Sequence, residues 1–309
     1  MNPIQEILDK YTTGVMDKAS FIKCMYEEHH AGLFNYAGYL FQTNIKKIEI
    51  EDDSVIMTSR DQGVRIACSL GDFRIAPIEI LNFLDYEKLE SAMMENLIAD
   101  GDIFFDIGAN IGWYSIRVAL SRRAAMVFCF EPIPKTYRYL QKNLDLNSVP
   151  NVQAHNFGFS NQAGKLPFYY YPEGSGNASS AILTQRMDME NVSCEVRILD
   201  DYITETGGGV DFIKCDVEGA ELLVFKGGLE TIAREKPIVF SEILRKWSKK
   251  FNYNPNEIFH LFREQGYQSF TVKGNYLVEF FSMDESTVET NFFFLHSEKH
   301  KDQIRRYKK

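Results

Sequence analysis

A glycine-rich turn carries the clearest chemical signal in this sequence of 309 residues. Gly108, Asn110 and Gly112 come just after an apolar run and just before a helical pattern. Glycines let a strand turn sharply into a helix, and they let a ligand approach the backbone closely. The first N–H groups of that helix favour an anionic group. The glycine spacing matches neither the usual dinucleotide fingerprint nor a P-loop.

A carboxylate ends the next apolar run along the chain. Glu131 closes the segment MVFCFE. A carboxylate at this position can accept hydrogen bonds from both ribose hydroxyls of an adenosine ligand. The alternative role is structural, as an acid at the start of the helix ahead of Pro132. The turn and this acid together, in strand–helix register, indicate a nucleoside cofactor.

Three further acids follow later apolar runs. Asp216 and Glu218 come after DFIKC, and Glu242 ends PIVFSE. In an open α/β sheet the carboxyl ends of the strands line the ligand crevice, so we expect these acids near the reacting atoms. Asp216 is predicted to remove a proton from an acceptor hydroxyl or to orient that hydroxyl. The alternatives are a helix cap for Asp216 and a helix-dipole contact for Glu218. Lys214 is predicted to be structural.

A metal site is not predicted. The three acids and His155 carry ligand atoms that suit hard cations, but no compact His/Asp cluster accompanies them. The remaining histidines are expected on the surface or in packing: His29, His30, His260, His296 and His300. No G-x-S-x-G elbow is present, which disfavours covalent hydrolase chemistry.

The elements that position these residues follow from the hydrophobic pattern. Short apolar runs begin at residues 103, 126, 152, 211 and 237, and helical patterns alternate with them. Strands buried on both faces and alternating with helices indicate a parallel sheet. Residues 1–86 predict an N-terminal α+β extension that serves acceptor binding or a homodimer. Residues 87–309 predict the main domain with an insertion at 164–202, in which the stretch 172–180 is a candidate lid. The C-terminal tail is expected to be frayed.

Composition narrows the class of protein further. The net charge of −9 argues against nonspecific nucleic-acid binding, and 45% hydrophobic with 25% charged residues is typical of a soluble globular chain. No apolar run has transmembrane length, and no secretory signal is visible. Five scattered cysteines predict free thiols in a reducing compartment, so we expect a cytoplasmic protein.

Three ordered motifs resemble a known family. FFDIGANIGWYS, FEPIPKTYRYLQKN and DFIKCDVEGAE look like the FkbM family of S-adenosylmethionine-dependent methyltransferases, over residues 87–296. The resemblance implies an α/β fold of the class I methyltransferase (Rossmann-like) type. Its sheet has seven strands, mostly parallel, with the last strand antiparallel. It also implies S-adenosylmethionine as cofactor.

The resemblance assigns cofactor contacts by position. It implies that Asp106, Gly108, Asn110 and Gly112 surround the methionine end and that Glu131 holds the ribose. Asn156 and Phe157 are implied to lie beside the adenine. Many relatives carry an alanine where this chain has Gly158, which makes the adenine contacts the least secure of these assignments.

The expected activity is O-methylation of a carbohydrate hydroxyl, on a surface polysaccharide or a sugar nucleotide. Asp216, Glu218 and Glu242 are the expected catalytic residues. Aromatic residues such as Trp113, Tyr114 and Trp247 offer stacking faces for a sugar, although packing in the core is the alternative role. The competing hypotheses are methylation of a secondary metabolite, a nicotinamide-dependent oxidoreductase, and a non-catalytic binding protein.

Overall fold

The computed structural model describes residues 2–52, 54–68, 70–121, 126–171, 179–182 and 189–309. The strands are β1 Ile45–Ile50, β2 Val55–Ser59, β3 Arg65–Cys68, β4 Ile103–Ile107, β5 Met126–Phe130, β6 Val152–His155, β7 Gly158–Phe159, β8 Gly164–Tyr170, β9 Glu190–Arg197, β10 Phe212–Cys215, β11 Ile238–Glu242, β12 Tyr267–Lys273, β13 Tyr276–Glu279 and β14 Asn291–His296. The α-helices are α1 Pro3–Thr12, α2 Lys18–Met25, α3 Ala31–Tyr39, α4 Ala76–Phe83, α5 Lys88–Leu97, α6 Trp113–Ser121, α7 Pro134–Asn147, α8 Leu199–Thr206, α9 Glu221–Gly227, α10 Leu229–Glu235, α11 Arg245–Ser248, α12 Asn256–Glu264 and α13 Lys301–Tyr307.

The central sheet confirms the predicted α/β class. Its strand order is β13-β12-β14-β11-β10-β4-β5-β6. The pairs among β6, β5, β4, β10 and β11 are parallel, whereas β14 runs antiparallel to both β11 and β12. The strand order reverses direction at β4, where ligands bind in folds of this kind. The site must therefore lie at the carboxyl ends of β4 and its neighbours.

The described sheet has eight strands rather than the predicted seven. The additional strand is β13, which forms a hairpin with β12 through Gly274 and Asn275. Gly274 has φ +60°, and the two-residue turns that join hairpin strands require a positive φ at their first central residue. The hairpin adds an edge strand and leaves the order of the other seven unchanged.

Apolar residues on both faces of the strands explain why this sheet lies in the centre. Phe104 and Phe212 stack at 5.3 Å between ring centroids in one apolar cluster. Their neighbours Phe105 and Ile213 belong to a second cluster on the opposite face. Successive side chains in a strand point to opposite faces, so a continuous apolar run fills both cores.

The N-terminal extension packs onto the main domain. Ile45 and Ile66 of its antiparallel sheet belong to the same apolar cluster as Phe104. The backbone N–H of Ala67 donates to Asn143 Oδ1 at 2.8 Å, and that of Arg65 donates to Asn147 Oδ1 at 2.8 Å. Helix α7 therefore satisfies backbone groups of β3. By contrast, Ile7 is the one buried residue of α1, and α2 and α3 have none.

The C-terminal prediction was wrong. Residues Lys301–Tyr307 form α13, and Ile304 is buried. Lys308 Nζ lies 2.7 Å from Glu279 Oε2, and the N–H of Lys309 donates to the carbonyl of Leu277. The hairpin strand β13 thus gives the tail a docking edge, which the charged sequence of the tail did not indicate.

Two other expectations are corrected in detail. The apolar run at 152 divides at His155, because Gly158 and Phe159 pair with β9 in a separate three-stranded sheet. The repeat of Leu89, Met93 and Leu97 at every fourth position predicts one buried helix face, but in α5 Leu89 is 40% exposed and only Met93 and Leu97 are buried. No described helix is both long and apolar enough to cross a lipid bilayer. The five cysteines are free, as predicted.

Gly108 is a position where the fold leaves no room for a side chain. A Cβ there would lie 1.8 Å from the carbonyl oxygen of Asp216, and φ is +80°. We expect Gly108→Ala to lower the free energy of unfolding by about 4 kcal/mol or more. Gly63 is the matched control, because its φ is +73° with nothing near the added Cβ. Gly63→Ala should cost about 1–2 kcal/mol of backbone strain alone. Urea denaturation measures both, and equal costs would contradict the close approach.

Candidate functional site

The turn after β4 is held against the end of β5. The N–H groups of Gly108 and Ala109 both donate to the carbonyl of Phe130, at 3.1 and 3.0 Å. Asn110 adopts the left-handed conformation with φ +49°. Gly112 has φ +92°, and a Cβ there would lie 2.7 Å from Leu140 Cδ1 of α7. Helix packing therefore accounts for Gly112, whereas Gly108, Ala109 and Asn110 line a cavity.

Glu131 closes the same turn from the end of β5. Its Oε2 accepts the N–H of Asn110 at 3.1 Å, and its Oε1 accepts the N–H of Ile133 at 2.9 Å. Burial raises the pKa of Glu131 to about 7, and the two N–H donors only partly offset this effect. Each oxygen keeps a second acceptor position, because a carboxylate oxygen can accept two hydrogen bonds.

Asp106 and Lys214 form a buried ionic layer beneath the turn. Lys214 Nζ lies 3.7 Å from Asp106 Oδ1 and 3.2 Å from Asp216 Oδ2, and Asp106 Oδ2 accepts the Ser115 hydroxyl at 2.6 Å. Burial alone would lower the pKa of Lys214, but Asp216, Asp106 and Glu87 raise it. Burial raises the pKa of Asp106 despite the lysine. Lys214 is therefore a charged part of this site.

The loop after β10 presents its acids to the same cavity. Glu221 accepts the N–H groups of Val217 and Gly219 at 3.1 and 3.0 Å. Glu221 therefore holds this loop closed, and the alternative role of Asp216 as a helix cap is wrong, because the N-cap of α9 is Ala220. Helix α9 begins only at Glu221, so Asp216 and Glu218 lie in the preceding loop. Glu218 has φ +53°, a conformation that only the surrounding packing can maintain.

Three carboxylates meet across this loop and the end of β11. Oxygens of Asp216, Glu218 and Glu242 lie within 4.8 Å of one another. Burial raises the pKa of both Glu218 and Glu242, and the nearby Asp216 raises them further. The sequence offered no compact cluster, because two neighbouring strands that are separate in sequence supply these acids. His155 lies elsewhere, with its ring stacked on Phe130 at 5.1 Å.

Glu87 is a site residue that the sequence analysis missed. It accepts hydrogen bonds from the hydroxyl of Tyr114 and from Asn291 Nδ2, the latter at 2.9 Å. Burial raises its pKa. No local pattern marks Glu87, because it precedes an ordinary amphipathic helix. The sequence did contain a signal for Lys214. It lies two residues before Asp216, and alternate residues of a strand point to the same side, so this spacing predicts that the two side chains are neighbours.

A cavity of about 360 Å³ lies between the turn after β4 and the loop after β10. The turn after β4 and Glu131 form one wall, and Asp216, Glu218 and Glu242 form the other. Aromatic side chains complete the lining: Tyr86, Trp113, Tyr114, Phe168 and Trp247. The cavity thus combines backbone, carboxylate and aromatic surfaces at the carboxyl ends of the parallel strands.

Asn156 and Phe157 do not belong to the lining of this cavity. Asn156 Nδ2 donates to the carbonyls of Glu131 and Pro132, at 2.8 and 3.1 Å. Phe157 is buried beside Phe130 with the Arg197 guanidinium 4.2 Å from its ring centroid. Asn156 therefore fixes the segment after Glu131, and the adenine contact stays a prediction.

The insertion at 164–202 reaches the acidic loop. Ser179 is fully buried, and its hydroxyl donates to the carbonyl of Glu218 at 2.9 Å. The predicted lid falls mostly on residues 172–178, which lie outside the described residues. His296 and His300 are packing residues as expected, since the N–H of His296 donates to His300 Nδ1 at 2.9 Å.

Known proteins resemble part of this chain. The 2-O-methyltransferase NoeI of Sinorhizobium fredii is 29% identical, with 48% of this chain and 66% of that protein covered. The hexuronic acid methyltransferase AglP of Haloferax volcanii is 29% identical over 41% of this chain and 50% of its own length. The chain thus spans between half and two thirds of these relatives.

A crystal structure of a methyltransferase FkbM from Methylobacillus flagellatus aligns with a TM-score of 0.42 and 20% identity, covering 64% of this chain and 45% of that one. The model of the methyltransferase FkbM domain matches residues 106–269, from the aspartate before the glycine turn to the sixth strand of the central sheet along the chain. That match covers more than half of the sequence, and the chain belongs to the FkbM methyltransferase family.

Proposed function

We propose that this protein transfers a methyl group from S-adenosylmethionine to a hydroxyl oxygen of a carbohydrate. One observation carries the proposal. A single cavity joins the glycine turn and Glu131 on one side to Asp216, Glu218 and Glu242 on the other. A nucleoside-binding wall thus faces a wall that can accept hydroxyl protons. Family membership favours methyl transfer over the hydride-transfer and non-catalytic hypotheses.

The residues present fit the cofactor. Glu131 retains an acceptor position on each oxygen for the two ribose hydroxyls, and Gly108 and Ala109 line the same cavity. The cavity volume lies within the usual range of roughly 300–1,000 Å³ for small-molecule sites. When bound, S-adenosylmethionine supplies an electrophilic methyl group on a positively charged sulfur. Asp106 and Gly112 do not line the cavity. Asp106 contacts Lys214, and Gly112 allows α7 to approach the turn.

The opposite wall would orient and deprotonate the acceptor. Asp216 is expected to receive the hydroxyl proton, because it is ionically paired and adjoins the cavity through the loop after β10. Glu218 and Glu242 would accept hydrogen bonds from the same or neighbouring hydroxyls. Such positioning supplies much of the acceleration in a displacement that needs an in-line approach.

A carbohydrate acceptor is supported by the lining and by the relatives. Carboxylates accept pairs of hydroxyls, and the aromatic residues Tyr86, Trp113 and Trp247 line the same cavity. The two relatives are described as a 2-O-methyltransferase and a hexuronic acid methyltransferase. The alternative acceptor is a secondary metabolite, and the same experiment distinguishes it from a carbohydrate. Cytoplasmic location and a homodimer stay predictions.

Loss of the Glu131 carboxylate should weaken cofactor binding. We expect Glu131→Gln to raise the Kd for S-adenosylmethionine about 10- to 100-fold, since hydrogen bonds to a charged group are lost. Isothermal titration calorimetry measures this change. Asp200→Asn is the matched control, because Asp200 also accepts two backbone N–H groups, those of Glu230 and Thr231. A similar loss of affinity in both variants would contradict a direct contact.

Cofactor binding should also depend on pH. Because burial raises the pKa of Glu131 to about 7, the carboxyl is protonated below that pH and loses acceptor capacity. We expect the affinity to fall up to about tenfold between about pH 8 and pH 6. Glu131→Gln should abolish that dependence. If the affinity of Glu131→Gln depends on pH as that of the unmodified protein does, a group other than Glu131 causes the pH dependence.

The acceptor is tested by incubation with S-adenosylmethionine and a panel of sugar nucleotides, uronic-acid glycans and polyhydroxylated metabolites. Mass spectrometry should detect the gain of one methyl group on a sugar hydroxyl. Asp216→Asn should lower kcat about a hundredfold or more and leave the Kd of the cofactor nearly unchanged. Methylation of metabolites alone would overturn the carbohydrate assignment. Cofactor binding without turnover on any member of the panel would count against it.

A further inference from the structure

The cluster of Asp216, Glu218 and Glu242, called here the acid cluster, concentrates negative charge in a small volume. Its three carboxylate oxygens lie within 4.8 Å of one another, and each residue is only partly accessible. Like charges at this separation repel strongly in a poorly solvated environment. The fold therefore brings together groups that need a neutralising partner.

Glu218 supplies a second, separate observation. Its Oε2 atom is buried and has no hydrogen-bond partner among the described residues. Buried polar atoms in folded proteins nearly always have a partner, and each exception requires an explanation. The carboxylate lines the cavity, so a bound cation there would satisfy this oxygen.

The cations of the protein that lie nearby are already engaged. Lys214 Nζ contacts Asp216 Oδ2 at 3.2 Å and Asp106 Oδ1 at 3.7 Å. Lys246 Nζ lies 4.4 Å from the centre of the Trp247 ring. Neither lysine forms an ion pair with Glu218 or Glu242 among the residues described here. Among the described residues, Glu218 and Glu242 therefore line the cavity without an ion pair.

We propose that the acid cluster binds a divalent cation of the Mg²⁺ or Mn²⁺ class. Carboxylate oxygens are the ligands that these hard ions prefer, and a few protein ligands leave further positions for water or a substrate oxygen. This revises the prediction from the sequence, which included no metal site. His155 has no part in it, because its ring stacks on Phe130 and its Nε2 lies 3.2 Å from the Tyr202 hydroxyl.

The cation would act on the acceptor, and this consequence rests on the proposed function. A hydroxyl that coordinates the ion becomes more acidic, since the ion stabilises the developing alkoxide. The hydroxyl proton would pass to Asp216 or to water, the oxygen would bond to the methyl carbon, and the bond from that carbon to sulfur would break. Binding of the cation itself requires neither the methyl donor nor the acceptor.

The test uses the full chain and Mn²⁺ alone, followed by electron paramagnetic resonance. We expect a saturable Mn²⁺ site that Mg²⁺ displaces. Glu218→Gln and Glu242→Gln should each weaken Mn²⁺ binding at least about tenfold. Glu79→Gln is the matched control, because Glu79 lines the same cavity but pairs with Arg74 at 2.8 Å. The control should bind Mn²⁺ as the unmodified protein does.

Several outcomes would overturn the site. Absence of saturable Mn²⁺ binding in the unmodified protein would overturn it, and that result does not depend on whether any variant folds. An equal loss of Mn²⁺ affinity in Glu79→Gln would indicate that the acidic cavity attracts the ion without a defined site. Unchanged binding in both cluster variants, with circular dichroism showing that they are folded, would place the ion elsewhere. Calorimetry with S-adenosylmethionine in chelator separates the two proposals, since failure there would count against the methyltransferase proposal and leave the cation site standing.

Discussion

The close approach of the turn after β4 to the loop after β10 is the constraint on which this structure depends. The space between Gly108 and the carbonyl of Asp216 excludes even a methyl group. Lys214 bridges the same two loops through the Gly108 carbonyl, at 3.4 Å, and the Asp216 carboxylate. A glycine backbone and one buried cation thus fix the distance between the wall that contains Glu131 and the wall that contains Asp216.

Electrostatics shape the cavity as much as packing does. Burial raises the pKa values of Glu131, Glu218 and Glu242, so their charged forms are costly when no ligand is present. A ligand with positive charge would lower that cost, whether the charge lies on sulfur or on a metal ion. Groups held in unfavourable surroundings cluster at functional sites because the rest of the fold maintains them there.

The N-terminal extension contributes to the site as well as to the core. Arg74, Glu79, Tyr86 and Glu87 line the cavity, although they precede or adjoin the proposed boundary at residue 86. The contacts of α7 with β3 and the shared apolar cluster join the extension to the sheet. The domain boundary that the sequence pattern predicted at residue 86 therefore passes through the wall of the cavity.

The sequence by itself determined the class of fold and the turn and carboxylate that form one wall of the cavity. Continuous apolar runs, the spacing of Gly108 and the position of Glu131 are local patterns, and local patterns are sufficient to specify buried strands and the turns after them. Three ordered motifs also indicated the FkbM family. The same reasoning placed Asp216, Glu218 and Glu242 at strand ends, each as a separate candidate.

Only the tertiary structure decided how those acids combine. The order β4-β10-β11 places loops that are distant in sequence side by side. The tertiary structure also adds Glu87, which no local pattern marks, to the lining of the cavity. It also decided that the C-terminal tail docks as a helix, because the edge it meets is formed by the unexpected strand β13. Distances between side chains on different elements depend on packing of the whole chain, and a pattern along one segment does not contain them.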